Sequence, residues 1–283
     1  MKRLFIPAFC LFTFLHCFFF QSKAQTYNVG AGGTYTTLNE AVTAYNSMVL
    51  AQPVVFLLTD ASYTVTSTLA ITTNATASST NTLTIKPAPG VTTTISGSTV
   101  GIFNISGDYI TIDGSNNGTA SRNMTILNNI AQRTINIGGA DQANSADNIT
   151  IKNCILSVTN SNYNVTLQSS NFASGGYFNN ITIQNNIIQR SVIGIYTVAA
   201  TGPFQNGTTV NIVDNDLART GADAIINTGI SLSGLSFGCT VQNNTIGNFT
   251  ATLTSPAKGI LVSTACSKKK KKNNIIQNLV YSG

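Results

Sequence analysis

The sequence contains no tryptophan and a single histidine, His16. Charged residues make up only 8% of it. His16 lies within the first 24 residues, which have the composition of a cleaved leader, so the mature chain would lack histidine altogether. Ser-His-Asp triads, Cys-His pairs and His-ligated zinc sites all require that imidazole. This absence excludes many hydrolases and zinc enzymes.

Cysteine is also scarce. Two of the five cysteines fall in the same leader, which leaves Cys154, Cys239 and Cys266. An odd number without metal-ligand spacing does not indicate a zinc site. One disulfide could form in an oxidising compartment, but the pattern favours buried or free thiols.

The leader has the pattern of a secretory signal peptide. Basic Lys2 and Arg3 precede an apolar run over residues 4–20, and a small-residue exit follows at Ala24. The run is shorter than the ~20 residues that a membrane-spanning helix needs. We predict a signal peptide over 1–24, a secreted or cell-surface protein, and no membrane span.

Removing the leader leaves twelve basic residues against nine acidic ones, a net charge of +3. Five of the twelve form one block over residues 268–272, and without that block the net charge would be −2. No aromatic residues interleave with the block. The basic pI therefore does not indicate a nucleic-acid-binding surface, and we predict no nucleic-acid partner.

Two short phrases recur along the chain at intervals of about 30 residues. The first includes "DNITIKNC" at 147–154 and "NNITIQNN" at 179–186, and the second includes "GISLS" at 229–233. Two phrases with one period indicate a repeat architecture. The central residues of the first phrase are Ile126, Ile151, Ile183, Ile212 and Val241. Those of the second phrase are Ile135, Val165, Ile195, Ile230 and Ile260.

Each phrase alternates apolar and polar residues over four or five positions, which is typical of a short β-strand. Gly, Asn, Ser and Asp fill the gaps between the phrases. This spacing predicts an all-β solenoid whose turns stack as parallel strands about 4.8 Å apart, with Ile and Val inside. Asn153, Asn185 and Asn243 would form a ladder of side-chain amides at one corner.

The start of the mature chain differs from the repeats. Thr37 is a candidate N-cap with Glu40 three residues later, followed by a short amphipathic run. We predict an N-terminal cap with a helix over about 25–60, covering the end of the stack. The segment "PVVFLLTDASYTV" would supply the first strand, and the coils would occupy about 61–283.

"VGAGGTYTTLNEAV" followed by "VVFLLTDASYTV" resembles the opening of pectinesterases and other proteins of the pectin lyase-like superfamily. "GDYITIDGSNNGTASRNMTILN" is similar to large secreted β-helix proteins of Bacteroidetes, many of which end in a type IX secretion sorting domain. The resemblance covers residues 25–283 and implies a right-handed parallel β-helix that contacts carbohydrate.

The resemblance transfers no mechanism. The Gln-Asp motif and the Arg-bearing Trp motif of pectinesterases have no counterpart in this sequence. The Gly-His-Gly of polygalacturonases requires a histidine, and no Asp cluster followed by Arg-Pro suggests a calcium-dependent pectate lyase.

One charged constellation stands out in "NIVDNDLARTGADA". Arg190 and Arg219 occupy equivalent repeat positions and could bind uronate carboxylates, with Asp223 contributing to that substrate-binding site. Asp214 and Asp216 would then act with Arg219 as catalytic acid and base, or serve as calcium ligands. In the competing interpretation Asp214 replaces an Asn of the ladder, the other two aspartates are turn residues, and the arginines are solvated.

The end of the chain departs from the repeat. The segment "KNNIIQNL" matches "QNNTIGNF", but lysines replace the strand before it, with Lys269 and Lys271 at the positions of Cys239 and Val241. Burying an unpaired ammonium costs several kcal/mol, so we expect this segment to be displaced outward or the last coil to fray. The block is either a basic patch or an error in an adenine-rich codon run. We expect the chain to be the N-terminal part of a longer monomeric protein.

These observations predict a secreted β-helix module that contacts a polysaccharide or surface glycan, or acts as an adhesin, without a complete catalytic set. One alternative is a polysaccharide lyase or glycoside hydrolase acting on an acidic glycan. A purely structural stalk is the other. We expect no cofactor, unless Asp214 and Asp216 hold Ca²⁺.

Overall fold

The structure is a computed structural model of the whole chain. It describes residues 23–130, 132–167, 176–200, 206–235, 237–250, 256–263, 266 and 269–278. Most of the predicted signal peptide, and Lys268 of the basic block, lie outside the described residues.

Nearly all regular structure in the described residues is short β-strand. The one α-helix there, α1, is Leu38–Ser47, and a short 3₁₀ helix spans Gly221–Asp223. The strands are β1 Gln25–Val29, β2 Val54–Leu58, β3 Ser62–Val65, β4 Leu69–Ile71, β5 Leu83–Pro87, β6 Thr93–Gly97, β7 Gly101–Ile105, β8 Ile110–Asp113, β9 Met124–Asn128, β10 Arg133–Ile137, β11 Ala146–Lys152, β12 Cys154–Leu167, β13 Phe178–Gln184, β14 Ile187–Val198, β15 Thr208–Val213, β16 Asp216–Leu217, β17 Thr228–Ser233, β18 Phe237–Gln242, β19 Thr245–Gly247, β20 Lys258–Val262, β21 Lys269–Lys272 and β22 Ile275–Gln277.

The strands pair in parallel and coil into a solenoid of about seven turns with three faces. Face 1 is a nine-stranded sheet in the order β1-β2-β5-β8-β11-β13-β15-β18-β21. A 13-stranded sheet provides the other two faces, because the long strands β12 and β14 each belong to both. Face 2 contains β3, β6, β9, β16, β19 and β22, and face 3 contains β4, β7, β10, β17 and β20. The predicted parallel β-helix is confirmed.

The second phrase has the predicted register throughout. Its five central residues form one continuous column on face 3. The first phrase is confirmed on face 1 for Ile151, Ile183, Ile212 and Val241, but the assignment of Ile126 was wrong. Ile126 lies in β9 on face 2, and Ile112 fills the place on face 1. The turn of the coil that contains β8 and β9 is long because a loop over residues 114–123 separates these two strands.

The N-terminal cap forms as predicted. Thr37 accepts a hydrogen bond from the Glu40 N–H, and the Glu40 carboxylate accepts one from the Thr37 N–H, which completes a capping box. The apolar side of α1 is buried and contacts β3 and β4 at the end of the stack. The expected first strand was wrong, because β1 precedes the helix and pairs with β2, while "PVVFLLTDASYTV" supplies both β2 and β3.

The asparagine doublets form two ladders where face 1 turns into face 2. The first residue of each doublet has a positive φ, as at Asn185 (51°) and Asn243 (55°), a conformation that Asn tolerates well. Asn185 Nδ2 donates to Asn153 Oδ1 over 2.7 Å, as predicted. Asn243 instead donates to the Asp214 carboxylate over 3.0 Å. We call this outer column the corner ladder.

The second residue of each doublet points inward and forms a buried ladder that the sequence analysis missed. Asn186, Asn215 and Asn244 are at most 1% exposed. Each accepts from the backbone N–H of the preceding turn and donates to strand carbonyls, with N···O distances of 2.8–3.1 Å. These hydrogen bonds give the buried amides themselves, and the backbone N–H groups at the corner, a partner in the interior, which explains why an asparagine recurs at this position.

The lysine segment lies in the stack. Strand β21 pairs in register with β18, so the predicted alignment of Lys269 with Cys239 and of Lys271 with Val241 is confirmed. The expected displacement of residues 269–272 was wrong. The backbone keeps its ladder hydrogen bonds while Lys271 stays exposed, so the position equivalent to Val241 buries no ammonium here.

Candidate functional site

The residues predicted as one constellation lie at two corners of the coil. Asp214 is exposed in the corner ladder between faces 1 and 2. Arg190 and Arg219 lie at the corner between faces 2 and 3. Ile187 of β14 pairs with Asp216 of β16. Arg190 lies three positions after Ile187, and Arg219 lies three positions after Asp216. The two arginines are therefore equivalent in register, one turn apart. The structure therefore separates Asp214 from the arginines.

Each of these arginines is paired with a carboxylate. Arg190 Nε donates to Asp223 Oδ1 over 2.6 Å, and Arg219 Nη1 lies 3.4 Å from Asp216 Oδ2. All four side chains are between a third and a half exposed, so the pairs stabilise the fold by only about 0–1 kcal/mol. Their main effect is to neutralise the positive charge of the two arginines, which a uronate carboxylate would need for binding.

A cavity of about 520 Å³ lies beside Arg190. Apart from the arginine, its walls are mainly small or aliphatic, including Val158, Ala224 and Ile226. Asp223 holds the arginine at the edge of the 3₁₀ helix. This cavity offers few polar groups to a sugar.

A second cavity, of about 390 Å³, lies along the corner ladder, and we call it the corner groove. Neighbouring turns contribute to it in register, since Lys152 in β11 pairs with Gln184 in β13. Asp214 follows β15 on the third turn. The lining residues are Thr119, Ala120, Lys152, Asn153, Gln184, Asn185 and Asp214.

The loop over residues 114–123 forms one wall of the corner groove. Arg122 reaches two turns along the stack, where its Nε donates to Asn185 O over 2.7 Å and its Nη2 to Asn185 Oδ1 over 2.5 Å. Asn185 Nδ2 in turn donates to Ala120 O over 2.9 Å. The loop starts at Gly114, where a Cβ would overlap the Asn153 carbonyl oxygen. Only glycine allows the loop to leave the strand at this point.

The groove combines acceptors and donors with little free charge. Lys152 Nζ lies 3.3 Å from Asp113 Oδ2, and that carboxylate also accepts from Asn153 Nδ2 over 2.7 Å. Asp214 Oδ1 accepts from Asn243 over 3.0 Å, and its carboxylate has no ion-pair partner among the described residues. The groove can therefore exchange hydrogen bonds with a polyhydroxylated ligand.

None of the cysteines offers an activated nucleophile beside the groove. Burial raises the pKa of the Cys154 thiol, and the charge of Asp113 raises it further, so the thiolate is disfavoured. Cys239 is also buried, and Cys266 is half-buried. Cys154 and Cys266 carry free thiols, as the sequence favoured.

A carboxylate pair that the sequence analysis did not single out lies on neighbouring turns of face 1. Asp108 Oδ1 accepts from the Asp147 N–H over 2.7 Å, and burial, followed by the nearby Asp147 charge, raises the pKa of Asp108. Neither residue lines the corner groove or the cavity beside Arg190. We assign this pair to the fold.

Within the described part of the chain, no group of three or more His, Cys, Asp or Glu side chains is placed to hold a metal ion. No helix among the same residues is long and apolar enough to cross a membrane.

Comparison with known proteins identifies the fold. No family model matches the chain, and no curated protein matches it. A pectin methylesterase from Aspergillus niger aligns with a TM-score of 0.50 and 12% identity, covering 92% of this chain and 90% of that one. An alginate lyase from Paenibacillus sp. aligns with a TM-score of 0.49 and 11% identity, covering 92% and 99%. At 12% identity the likeness to the pectin methylesterase shows the parallel β-helix fold and shows no activity.

Proposed function

We propose that this protein is a secreted or cell-surface β-helix module that binds a polysaccharide in the corner groove. The observation that carries this proposal is the lining of the groove, where three successive turns present an ammonium, amides and a carboxylate along one line. Such groups can exchange hydrogen bonds with sugar hydroxyls. The structural neighbours act on carbohydrates by their names, which agrees with a glycan ligand.

We further propose a neutral glycan rather than an acidic one. Lys152, Arg190 and Arg219 each have a carboxylate partner within 3.4 Å. Arg122 is held by Asn185 at the wall of the groove. An acidic sugar would have to break one of these pairs and would meet the charge of Asp214.

Binding is favoured over catalysis because Asp214 lacks a suitable partner. Glycoside hydrolysis generally uses two carboxyl groups, one acid and one base or nucleophile, on either side of the scissile bond. Asp216 is bound to Arg219 on face 2, and Asp113 is bound to Lys152 and is only 8% exposed. No second free carboxylate lines the corner groove.

Affinity electrophoresis with immobilised neutral and acidic polysaccharides would test this proposal, with and without Ca²⁺ or EDTA. We expect retention on a neutral polysaccharide without new reducing ends or unsaturated uronates. Gln184→Ala should lower the affinity about five- to tenfold, since a ligand hydrogen bond contributes about 1 kcal/mol.

The chain provides a matched control at Gln242. It occupies the same outward column as Gln184, two turns further on, is equally half-buried, and does not line the groove. Gln242→Ala should leave the affinity unchanged. Equal losses in both variants, stronger retention on an acidic polysaccharide, or product release would contradict the proposal.

A further inference from the structure

The corner ladder is interrupted at one position. Its amides act as donor and acceptor at once: Asn153 Nδ2 donates to Asp113 Oδ1, and Asn185 Nδ2 donates to Asn153 Oδ1. The next residue in the column is Asp214, whose carboxylate carries no N–H. Asn185 Oδ1 therefore cannot receive a ladder hydrogen bond from the following turn.

Arg122 occupies the acceptor that this interruption leaves open. Its Nη2 donates to Asn185 Oδ1 over 2.5 Å, and its Nε donates to the carbonyl oxygen of the same residue over 2.7 Å. The ladder resumes beyond the interruption, where Asn243 donates to Asp214 over 3.0 Å. Asp214 thus supplies no donor to Asn185 Oδ1, and Arg122, which is far away in sequence, supplies one.

We propose that Asp214 and Arg122 are a positioning pair that builds the corner groove. Because residue 214 is Asp rather than Asn, no ladder amide competes with Arg122 for Asn185 Oδ1, and Arg122 holds the loop over residues 114–123 against the corner as a wall. The exposed carboxylate of Asp214 is then available in the groove to accept a hydrogen bond from a ligand hydroxyl.

The role of Asp214 toward a ligand rests on the proposed function. The closure of the wall rests only on the hydrogen bonds of Asn185 and holds whatever the groove binds. Asp214 is assigned here as a positioning and binding residue instead of the catalytic acid or base that its sequence context suggested.

Two substitutions at one position separate the missing donor from the charge. Asp214→Asn removes the charge and supplies an amide N–H that competes with Arg122 for Asn185 Oδ1. Asp214→Gly removes the charge, supplies no donor, and tolerates the positive φ of 59° at this position. Only the asparagine variant should release the wall.

Limited proteolysis with trypsin reads out the wall directly, since trypsin cleaves after arginine and Arg122 is held in the folded protein. We expect cleavage after Arg122 to become about tenfold faster in Asp214→Asn and to stay unchanged in Asp214→Gly, because a displaced charged hydrogen bond is worth about one decade in the opening equilibrium. Hydrogen exchange at the Thr119 and Asn123 amides should follow the same pattern. A general loss of stability would instead accelerate cleavage in both variants.

Glycan affinity provides the second readout. Both variants lose the Asp214 carboxylate, so both should bind the neutral polysaccharide more weakly, and Asp214→Asn more weakly still because its wall is open. Slow cleavage in Asp214→Asn would overturn the positioning pair. Fast cleavage in that variant, together with no glycan binding by the unaltered protein, would support the pair and reject the proposed function.

Discussion

The buried asparagine ladder allows a quantitative prediction at Asn215. Its Oδ1 accepts from the Asn186 N–H over 3.0 Å and from Asn186 Nδ2 over 3.1 Å. Its Nδ2 donates to Ile183 O, Val213 O and Asn244 Oδ1 over 2.9–3.0 Å. Asn215 therefore satisfies polar groups on three successive turns while itself being 1% exposed.

Replacing Asn215 by leucine keeps the approximate side-chain volume and removes every one of these hydrogen bonds. In the preceding turn the Asn186 N–H, Asn186 Nδ2 and Ile183 O would each lose a hydrogen bond. Val213 O keeps the Asn185 N–H as a donor, and Asn244 Oδ1 keeps the Asn215 N–H. At about 1 kcal/mol for each of these three lost hydrogen bonds, the loss is about 3 kcal/mol. For a chain of this size that corresponds to a fall of roughly 6–12 °C in Tm.

Thermal and urea denaturation followed by far-UV circular dichroism would measure this loss, since the protein has no tryptophan to report by fluorescence. Asn243→Gly is the matched control, because Asn243 lies in the adjacent exposed ladder, makes one side-chain hydrogen bond to Asp214, and has a positive φ that glycine accepts. We expect the control to lose less than about 1 kcal/mol. If Asn215→Leu destabilised the protein no more than the control, the buried ladder would not stabilise the coil as argued.

Three further predictions concern the cysteines and the N-terminal cap. In the native protein Cys154 should resist alkylation even at alkaline pH, since burial raises the pKa of its thiol. The half-buried Cys266 should react first. Mass spectrometry would locate the label, and rapid labelling of Cys154 would show that its site opens to solvent. Thr37→Ala should cost about 1 kcal/mol of folding free energy by urea denaturation through loss of the capping box. Hydrogen bonds from the Thr36 side chain and the Thr36 and Thr37 backbone lower the pKa of Glu40, so its contribution is present above the ordinary glutamate pKa and lost as the pH falls through the lowered value. Glu40→Gln should therefore destabilise the protein at neutral pH and have little effect in acid, and an equal loss at both pH values would contradict the assignment.

Local and periodic signals carried most of the fold prediction. Thr37 and Glu40 define the start of α1 by their spacing alone, because the capping box is formed within one turn of chain. The second phrase predicted the register of face 3 from β10 to β20, since no long insertion separates its repeats. The first phrase failed at Ile126, where the ten residues over 114–123 shift the count, so a similar phrase on face 2 was matched to face 1.

The candidate site was harder to predict because it depends on contacts between distant residues. The contact of Arg122 with Asn185 joins residues that are 63 apart in sequence and two turns apart in the coil, and the repeat period does not predict it. Within a doublet, the sequence cannot show which asparagine turns inward, because that follows from the positive φ of the first one. The sequence analysis singled out Asp214 for its charge. Its importance in the corner ladder lies in its lack of an amide N–H donor, because its carboxylate can only accept a hydrogen bond.

The parallel stacking places equivalent residues of successive turns at a fixed spacing along the axis of the solenoid. Lys152 and Gln184 are 32 residues apart in sequence but occupy neighbouring strands, so about 4.8 Å separates their backbones along the axis. Asn186 and Asn215, which are 29 residues apart, are separated by the same single step. An insertion at a corner therefore leaves the spacing of contact points along the groove unchanged. Adding or deleting one whole turn would instead lengthen or shorten the surface by one strand spacing, and the length of ligand that it can contact would change by the same amount.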